Sequence, residues 1–305
     1  MASTRTTVEI EGRSLSLSNL DKVLYPAQGF TKAHVIDYYV GVAEALLPHL
    51  AGRPLTMKRF PDGVERGHFF EKRCPEHRPD FVATLPLERP DDARDGDVVV
   101  HCDVSDLPSL VWVANLAALE LHTSLARRPD TTVPTCVVFD LDPGAPATLQ
   151  ECARVALLVR DVCERLDLVC VAKTSGRKGM QVYVPVNAPT SYEETKGWAL
   201  AVGQLLERVH PELVLTSMTR SRRSGKVFVD WSQNSWSKTT VSVYSLRAEP
   251  VPTVSTPVTW GEVEAAAEGR TPLRFHANRL RDRLEAHGDL FAPVAEVVQA
   301  LPALG

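Results

Sequence analysis

Apolar residues recur at helical spacing in several segments of the chain, and each of these segments begins at a residue that can cap a helix. Thr31 precedes the first segment, and Gly52, a residue type common just after helix ends, follows it. One face of this segment is apolar and consists of Val35, Tyr38, Val42, Leu46 and Leu50. We therefore expect one helix between Thr31 and Gly52.

The pattern Ser/Thr-x-x-Glu marks the start of three more helices, because the two side chains of such a pair satisfy each other's free backbone N–H groups. The pairs are Thr148 with Glu151, Ser191 with Glu194, and Thr259 with Glu262. His210 should close the helix that Ser191 begins. A shorter helix is predicted over residues 109–118.

Runs rich in β-branched and aromatic residues predict strands between these helices. They cover residues 119–123, 135–142, 168–172, 180–186, 227–231 and 240–244. This mixture predicts an α/β (α+β) fold with mixed β-sheets flanked by helices. The Pro-rich, polar segment 73–95 is predicted to be a loop. We expect a single domain over residues 1–305, in which an N-terminal part (about 1–130) packs against a second part (about 131–305).

Composition is that of an ordinary globular protein, since 44% of the 305 residues are apolar and 24% are charged. No apolar run approaches the roughly 20 residues that cross a bilayer, and the polar residues 1–13 contain no signal-peptide core. We expect a cytoplasmic protein without membrane contact. The formal net charge of −4 argues against unspecific coating of nucleic acid, although basic residues cluster at 53–59 and 220–226.

The cysteines include no Cys-x-x-Cys pair and lie mostly in apolar runs, which predicts buried reduced thiols. They are residues 74, 102, 136, 152, 163 and 170. A zinc site formed by Cys74, His77, His101 and Cys102 remains an alternative. It is disfavoured because adjacent residues, such as His101 and Cys102, rarely both reach one ion.

Three aspartates are the strongest candidates for chemistry. Asp140 and Asp142 share one face of a predicted strand, because side chains alternate with a period of two. Two carboxylates there repel each other unless a divalent cation lies between them, and their oxygens suit Mg²⁺ or Mn²⁺ better than zinc. Asp230, at the end of another predicted strand, adds a third carboxylate, and three can bridge two metal ions about 4 Å apart. The competing interpretation is a solvated strand end before a turn.

A glycine-flanked loop over residues 175–179 is a candidate phosphate site. Its amides, the Ser175 hydroxyl and the Lys178 ammonium could hold a triphosphate. Such loops are common hairpins, so the position of this one, a helix and a strand after the aspartate pair, is what favours a functional role.

Three motifs now combine into a family resemblance: Asp-Leu-Asp at 140–142, Ser-Gly-x-Lys-Gly at 175–179 and Asp-Trp-Ser-Gln-Asn at 230–234. In this order and spacing they resemble the archaeo-eukaryotic primase superfamily. They are more closely similar to the polymerase domain of bacterial ligase D, which acts in non-homologous end joining. The resemblance covers nearly the whole chain, through eight collinear segments at 21–26, 38–39, 51–54, 69–72, 119–122, 138–144, 225–234 and 244–247.

The resemblance implies a primase-polymerase catalytic core that uses two Mn²⁺ or Mg²⁺ ions. The residues that match the metal ligands of the family are Asp140, Asp142 and Asp230. Those that match its nucleotide contacts are Lys58, Phe70, His122, Ser175, Lys178, Arg223, Gln233 and Arg247. Phe70 matches the platform on which the base stacks. Lys22 and Lys32 match the basic pair that binds a 5′-phosphate on the far side of a gap or break.

The resemblance implies a template-directed nucleotidyl transferase, tolerant of ribonucleotides, that fills short gaps or extends DNA ends in break or excision repair. Its substrates would be nucleoside triphosphates and DNA with gaps, nicks or overhangs, and we expect it near the nucleoid. The chain contains no Lys-x-Asp-Gly adenylation motif and no nuclease domain. We therefore expect a stand-alone polymerase or an excised domain, which works with a separately encoded DNA ligase.

Two departures from the family pattern affect this expectation. Gln181 stands where the family usually has His, so that phosphate affinity or the metal environment should differ. The segment 122–140 is short for ligase-associated domains, which favours gap filling over bridging of two ends.

Two alternatives remain. A haloacid-dehalogenase-like phosphatase would use Asp140 as a nucleophile, but the following Pro143-Gly144 does not fit its usual Gly-Thr. A non-catalytic DNA-end scaffold would rely on Lys22, Lys32 and the arginines, and it has no need for three clustered acids.

Overall fold

The computed structural model describes residues 5–87 and 98–303. Within them the α-helices are α1 (Lys32–Gly41), α2 (Ala43–Leu50), α3 (Leu107–Asn115), α4 (Leu149–Arg165), α5 (Tyr192–Val209), α6 (Trp260–Ala267), α7 (Leu280–His287) and α8 (Pro293–Glu296). None of these helices is long and apolar enough to span a membrane.

The helix expected between Thr31 and Gly52 is in fact two helices, so this prediction is wrong in part. Thr31 caps α1 as predicted, but the chain leaves helical geometry at Val42, where α2 begins. Gly41, the last residue of α1, is a poor helix former, which accounts for a break at this point of an otherwise helical apolar pattern.

The predicted capping pairs are confirmed at the other helices. Reciprocal boxes join Thr148 to Glu151 at α4 and Thr259 to Glu262 at α6. Ser191 accepts a hydrogen bond from the Glu194 N–H at α5, and His210 ends that helix. The shorter helix α3 begins at Leu107, two residues earlier than predicted, because the Asp106 side chain caps it.

The first eight strands are β1 (Arg5–Ile10), β2 (Arg13–Ser18), β3 (Val23–Tyr25), β4 (Phe30–Thr31), β5 (Leu55–Arg59), β6 (Phe69–Glu71), β7 (Ala83–Leu87) and β8 (Val99–Asp103). The next six are β9 (Ala118–Thr123), β10 (Ala126–Arg127), β11 (Asp130–Pro134), β12 (Cys136–Pro143), β13 (Val171–Thr174) and β14 (Met180–Pro185). The remainder are β15 (Val214–Leu215), β16 (Val227–Asp230), β17 (Thr240–Val241), β18 (Leu246–Arg247), β19 (Thr253–Val254) and β20 (Pro257–Val258).

Two six-stranded sheets organise the described residues. The first has the order β17-β9-β5-β8-β7, with β6 paired to β5. The second has the order β15-β16-β12-β14-β13-β20, and its pairs are antiparallel except for β15 with β16. The expected mixture of sheets and helices is confirmed. β17 belongs to the second half of the chain but pairs with β9 of the first, and the division into two packed parts stays a prediction.

Alternation along β12 gives its two faces different neighbours. Val137, Phe139 and Leu141 join an apolar cluster with α4, α5 and α6. Cys136 and Val138 point the other way and join the cluster built on α1, α2, α3, β5 and β9. The even-numbered positions of β12, which include Asp140 and Asp142, therefore face the first sheet.

Two strand predictions need correction. Segment 73–95, expected to be a loop, contains β7, which is paired along its length with β8; residues 88–95 lie outside the described residues. Pro86 made this segment look unlike a strand in the sequence. Proline is tolerated here because β7 is at the edge of its sheet. The strand predicted over 240–244 is limited to β17, and Tyr244 beyond it has a φ of 59°.

The cysteine prediction is wrong for one pair. Cys74 and Cys102 form a disulfide, so neither sulfur can serve as a zinc thiolate, and the alternative zinc site with His77 and His101 is not formed. Spacing along the chain could not show this pair, because β8 and the segment after β6 meet only in the folded sheet. The other four cysteines are buried and free, as predicted.

Asn234 continues the β-ladder of β12 beyond the end of β16. Its Oδ1 accepts from the Val138 N–H at 2.8 Å, and its Nδ2 donates to the Val138 carbonyl at 2.7 Å. The residue has no exposed surface. Its amide therefore fixes the turn that follows Asp230 against β12.

We predict that Asn234→Ala lowers the free energy of unfolding by about 3 kcal/mol, since it leaves a buried N–H and a buried C=O without partners. Urea unfolding followed by circular dichroism measures this change. Ser237→Ala, at an exposed position nearby, serves as the control. A loss below 1 kcal/mol for Asn234→Ala would show that water replaces the amide.

Candidate active site

A cleft of about 510 Å³ is lined by residues of both six-stranded sheets. Seven of its residues are among those singled out from the sequence: His122, Asp140, Asp142, Ser175, Lys178, Gln233 and Arg247. The others are Arg177, Gly179, Gln181, Thr239, Thr240, Val241 and Glu249.

The acidic wall of this cleft is built on the neighbouring strands β16, β12 and β14. Asp140 is in register with Asp230 on one side and with Gln181 on the other. Paired residues on antiparallel strands point to the same face, and Asp142 shares it by alternation. The aspartates therefore lie on the face of the second sheet that is turned away from α4 and α5, as the period of two predicts.

Burial and mutual repulsion shift the titration of these acids. Burial and the charge of Asp142 raise the pKa of Asp140 to about 7, against the lowering effect of the hydrogen bond that Gln181 donates at 3.1 Å. Burial and the charge of Asp230 raise the pKa of Asp142, while the charge of Arg223 opposes the rise. A divalent cation between the carboxylates would offset both burial and repulsion, and hard carboxylate oxygens suit Mg²⁺ or Mn²⁺.

The side chain of Asp230 is turned toward its own neighbours. Its Oδ1 accepts from the Ser232 N–H at 3.1 Å and from the Ser232 hydroxyl at 2.5 Å, and its Oδ2 accepts from Gln233 at 3.0 Å. Across residues 5–87 and 98–303, no three His, Cys, Asp or Glu side chains are gathered as a metal-ligand group. The described part of the chain therefore does not group the three aspartates as metal ligands, and the metal site stays a prediction.

The hairpin between β13 and β14 borders the acidic strand β12, and its glycines are required by close approach. A Cβ on Gly179 would lie 2.3 Å from the Leu141 carbonyl oxygen, and one on Gly176, whose φ is 72°, would lie 2.6 Å from Arg247. Arg247 in turn donates to the Ser175 carbonyl at 2.6 Å. The hairpin, with Lys178, is therefore fixed directly beside the acidic strand β12.

Glu120 is the centre of a buried charge cluster on the first sheet. Its carboxylate lies 3.0 Å from His122 Nε2, 3.4 Å from an Arg247 nitrogen and 3.7 Å from Lys58 Nζ. Burial alone raises the pKa of Glu120, but the His122 hydrogen bond and the charges of Arg247 and Lys58 lower it well below its usual range. Glu120 therefore stays ionised and holds three nitrogen-bearing side chains at the cleft.

Lys173 lies beneath the cleft and is fully buried. Its ammonium donates to the Val241 carbonyl at 3.0 Å and to the Ser255 hydroxyl at 2.7 Å. Burial, together with the charge of Arg247, lowers the pKa of Lys173 well below its usual value. Lys173 is in register with Gln181. The paired residues Asp230, Asp140, Gln181 and Lys173 therefore form one row across the second sheet.

Two expected nucleotide contacts lie at the border of the cleft and a third lies near its acids. Phe70 is 57% exposed, and its ring centroid is 6.1 Å from that of His122 and 5.5 Å from Lys58 Nζ. Arg223 packs its guanidinium on the Phe228 ring at 3.7 Å. Five of the eight expected nucleotide contacts thus line the cleft. Phe70 lies beside His122 and Lys58 beside Glu120. Arg223 packs on Phe228, the residue that pairs with Asp142.

Lys22 and Lys32 lie together, and among the described residues neither of them lines the cleft or forms an ion pair with a residue that does. Lys22 forms an ion pair with Asp62 at 2.6 Å. Lys32 is buried and donates to the Asn115 carbonyl at 2.8 Å. Burial and the charges of Lys22 and Arg59 lower the pKa of Lys32 to about 8.

Sequence reasoning missed Glu120, Lys173, Arg177 and Glu249 as members of the site. A signal existed for Glu120, because it is two residues from His122 on a predicted strand and must share its face. Lys173 carried no clear signal, because the predicted strand ended at residue 172 whereas β13 extends to Thr174. Glu249 carried none, since only the folded chain brings it to the hairpin.

Comparison with known proteins identifies the relatives of this chain. The family "LigD, primase-polymerase domain" matches residues 31–291. The chain is 44% identical over 280 residues to the multifunctional non-homologous end joining protein LigD of Mycolicibacterium smegmatis, covering 91% of this chain and 36% of that protein. It is 30% identical over 279 residues to the bifunctional non-homologous end joining protein LigD of Bacillus subtilis, covering 90% of this chain and 43% of that protein. The chain thus spans less than half the length of these relatives.

A solved structure is similar over almost its whole length. The polymerase domain of Mycobacterium tuberculosis ligase D, in complex with DNA, superimposes with a TM-score of 0.86 at 40% identity. The match covers 93% of this chain and 99% of the other.

We predict that Asp140→Asn stabilises the metal-free protein at pH 8 but not at pH 4. The folded pKa of Asp140 is raised to about 7, so below pH 4 both states hold the proton, and stability is lost as the pH rises from 4 to 7. Asparagine has no proton to lose. The gain at pH 8 should be roughly 2 kcal/mol, about half the full value of the shift because the carboxylate is partly exposed.

Thermal unfolding in a chelating buffer at both pH values measures this difference. Asp161→Asn, at a half-exposed position on α4, is the matched control. An equal effect of Asp140→Asn at pH 4 and pH 8 would contradict the assigned titration.

We predict that Glu120→Gln lowers the free energy of unfolding by about 3 kcal/mol, because it removes the shared anion from a buried cluster of Lys58, His122 and Arg247. Guanidinium unfolding at pH 7 provides the measurement. Glu268→Gln, which removes the partner of Arg270 in a surface pair, should change stability little. Equal effects of both substitutions would refute the role given to Glu120.

Proposed function

The chain belongs to the LigD primase-polymerase domain family, and from this premise we propose that it is a template-directed nucleotidyl transferase. In the proposed reaction it fills short DNA gaps, or extends DNA ends, in break repair by non-homologous end joining. The observation that carries the proposal is the cleft, in which carboxylates on β12 face a wall of phosphate-binding groups.

We infer that Asp140, Asp142 and Asp230 hold two Mn²⁺ or Mg²⁺ ions. The raised pKa of Asp140, caused by burial and by the charge of Asp142, supports this, since a cation would offset both effects. When bound, the ions would activate the primer 3′-hydroxyl and neutralise the phosphates of the nucleotide. Asn234 contributes by holding the turn after Asp230 against β12.

The opposite wall would bind the incoming triphosphate. Lys178 and Arg247 would stabilise the negative charge that develops on the leaving pyrophosphate. Ser175 and His122 line the same cleft and would contact the triphosphate or its sugar. Arg247 is already fixed by Glu120 and by the Ser175 carbonyl, so that little reorganisation accompanies binding.

The exposed ring of Phe70 would serve as a platform for the base. Stacking on an aromatic ring tolerates every base, as a template-directed enzyme requires. Lys58 lies between Phe70 and Glu120 and would position the nucleotide beside this ring. Gln233 and Arg223 lie near Asp230 and Asp142, where they would support the same nucleotide.

Lys22 and Lys32 would bind the 5′-phosphate at the far side of a gap. Their proximity to each other and to Arg59 supports this role, because three cations at one place favour a phosphate dianion. The phosphate would replace Asp62 as the partner of Lys22. Ligation of the filled gap is assigned to a DNA ligase active site outside these 305 residues.

The decisive experiment replaces Asp140 with Ala and measures extension of a primer on gapped DNA with labelled nucleotides and Mn²⁺ or Mg²⁺. We predict a loss of activity of at least a hundredfold, since one of the three carboxylates that would hold the ions is gone, while binding of the gapped DNA persists. Asp161→Ala on α4 should behave like the unaltered protein.

The result also decides between the enzyme and the DNA-end scaffold. Incorporation of nucleotides by Asp140→Ala at a near-normal rate would contradict the assignment of Asp140 as a metal ligand. Tight DNA binding by the unaltered protein, with no incorporation at any metal concentration, would favour the scaffold.

A further inference from the structure

Arg177 occupies the tip of the hairpin that borders the cleft, directly before Lys178. It lines the cleft together with Glu249, and the two side chains form an ion pair through Arg177 Nε and Glu249 Oε1. The Arg177 side chain is 46% exposed and that of Glu249 is 23% exposed. The pair therefore stands at the mouth of the cleft and not in the protein interior.

The guanidinium of Arg177 has N–H groups that form no hydrogen bond with the described residues. Among the residues that the structure describes, its only side-chain hydrogen bond is the one from Nε to Glu249. Both terminal nitrogens, with four N–H groups, remain available for another acceptor. A guanidinium held at Nε presents these groups as a planar fork, the geometry that matches two oxygens of a phosphate.

The charge of Arg177 acts on the phosphate-binding wall. It contributes to lowering the pKa of Arg247 and of Lys58, after the larger effect of burial and against the opposing charge of Glu120. Arg177 therefore belongs to the same positive field as these two residues. Glu249, the acid nearest to it, offsets part of that field at the outer end of the cleft.

The direction of the hairpin gives the position of Arg177 relative to the metal-binding acids. Gly179 lies against Leu141 and beside Asp142, Lys178 precedes it, and Arg177 lies one residue further from β12. A triphosphate whose inner phosphate is at the aspartates would thus extend past Lys178 toward Arg177.

We propose that Arg177 is a specificity-determining residue that binds the terminal phosphate of a nucleoside triphosphate, and that Glu249 positions its guanidinium. This inference rests on the proposed function of the same cleft. It assigns to Arg177 the distinction between triphosphate and diphosphate, because a diphosphate ends before it reaches the hairpin tip. A purely structural role, in which the ion pair fastens the hairpin to the segment after β18, makes a different prediction.

The test measures binding of ATP and of ADP by calorimetry, with Mn²⁺ and without DNA. For Arg177→Ala we expect the Kd of ATP to rise about tenfold, the usual effect of losing a charge-assisted hydrogen-bonded contact, and the Kd of ADP to change less than twofold. Arg177→Lys should restore part of the ATP affinity. Glu249→Gln, which still accepts from Arg177, should stay within threefold, whereas Glu249→Ala should reproduce part of the ATP loss.

Arg270→Ala is the matched control, since Arg270 is another exposed arginine paired through Nε with a glutamate, on the segment after α6. Equal weakening of ATP and ADP in Arg177→Ala would overturn the proposal in favour of the structural role, and unchanged affinities would overturn it outright. Failure of the proposed function is distinguishable. In that case the unaltered protein incorporates no nucleotide, whereas failure of this inference leaves incorporation intact and the ATP-to-ADP ratio unaffected by Arg177→Ala.

Discussion

The repulsion among carboxylates on adjacent strands is the constraint around which the site is organised. Asp140 and Asp230 are directly paired across an antiparallel ladder, so the backbone hydrogen bonds of the sheet set the distance between them. The aspartates cannot move apart without breaking that ladder, which the Asn234 amide extends. Burial, followed by the charges of Asp142 and of Asp230, raises the pKa of Asp140, and a cation bound here would offset these effects.

The positively charged groups of the cleft also repel one another, and a buried acid of the first sheet reduces this repulsion. Glu120 is buried beneath Lys58, His122 and Arg247 and neutralises part of their repulsion. The aspartates on the second sheet do not provide this counter-charge, and within residues 5–87 and 98–303 they form no ion pair with arginine or lysine. A positive cluster that is partly neutralised by Glu120 and a group of mutually repelling aspartates thus border the same cleft.

The sequence predicted what depends on local pattern and missed what depends on distant partners. A period of two placed Asp140 and Asp142 on one face, and the capping pairs located the starts of α4, α5 and α6. The Cys74–Cys102 disulfide escaped prediction because its halves meet only through sheet pairing. The resemblance to a family supplied roles for separate residues, but it could not indicate Glu120, whose importance follows from three contacts made by residues up to 127 positions away.

Gln181 stands where we expect His from the family pattern, and its contacts suit its place between Asp140 and Lys173. Its Nε2 donates to Asp140 at 3.1 Å, and its Oε1 lies 3.4 Å from the Tyr183 hydroxyl. Its neighbour across the ladder is Lys173, whose lowered pKa reflects burial. An amide at this place can donate to the carboxylate in every protonation state of its surroundings, since it neither gains nor loses a proton. Gln181 therefore orients Asp140 without adding a charge between a buried lysine and two aspartates, and the row keeps its acidity where the cation would bind.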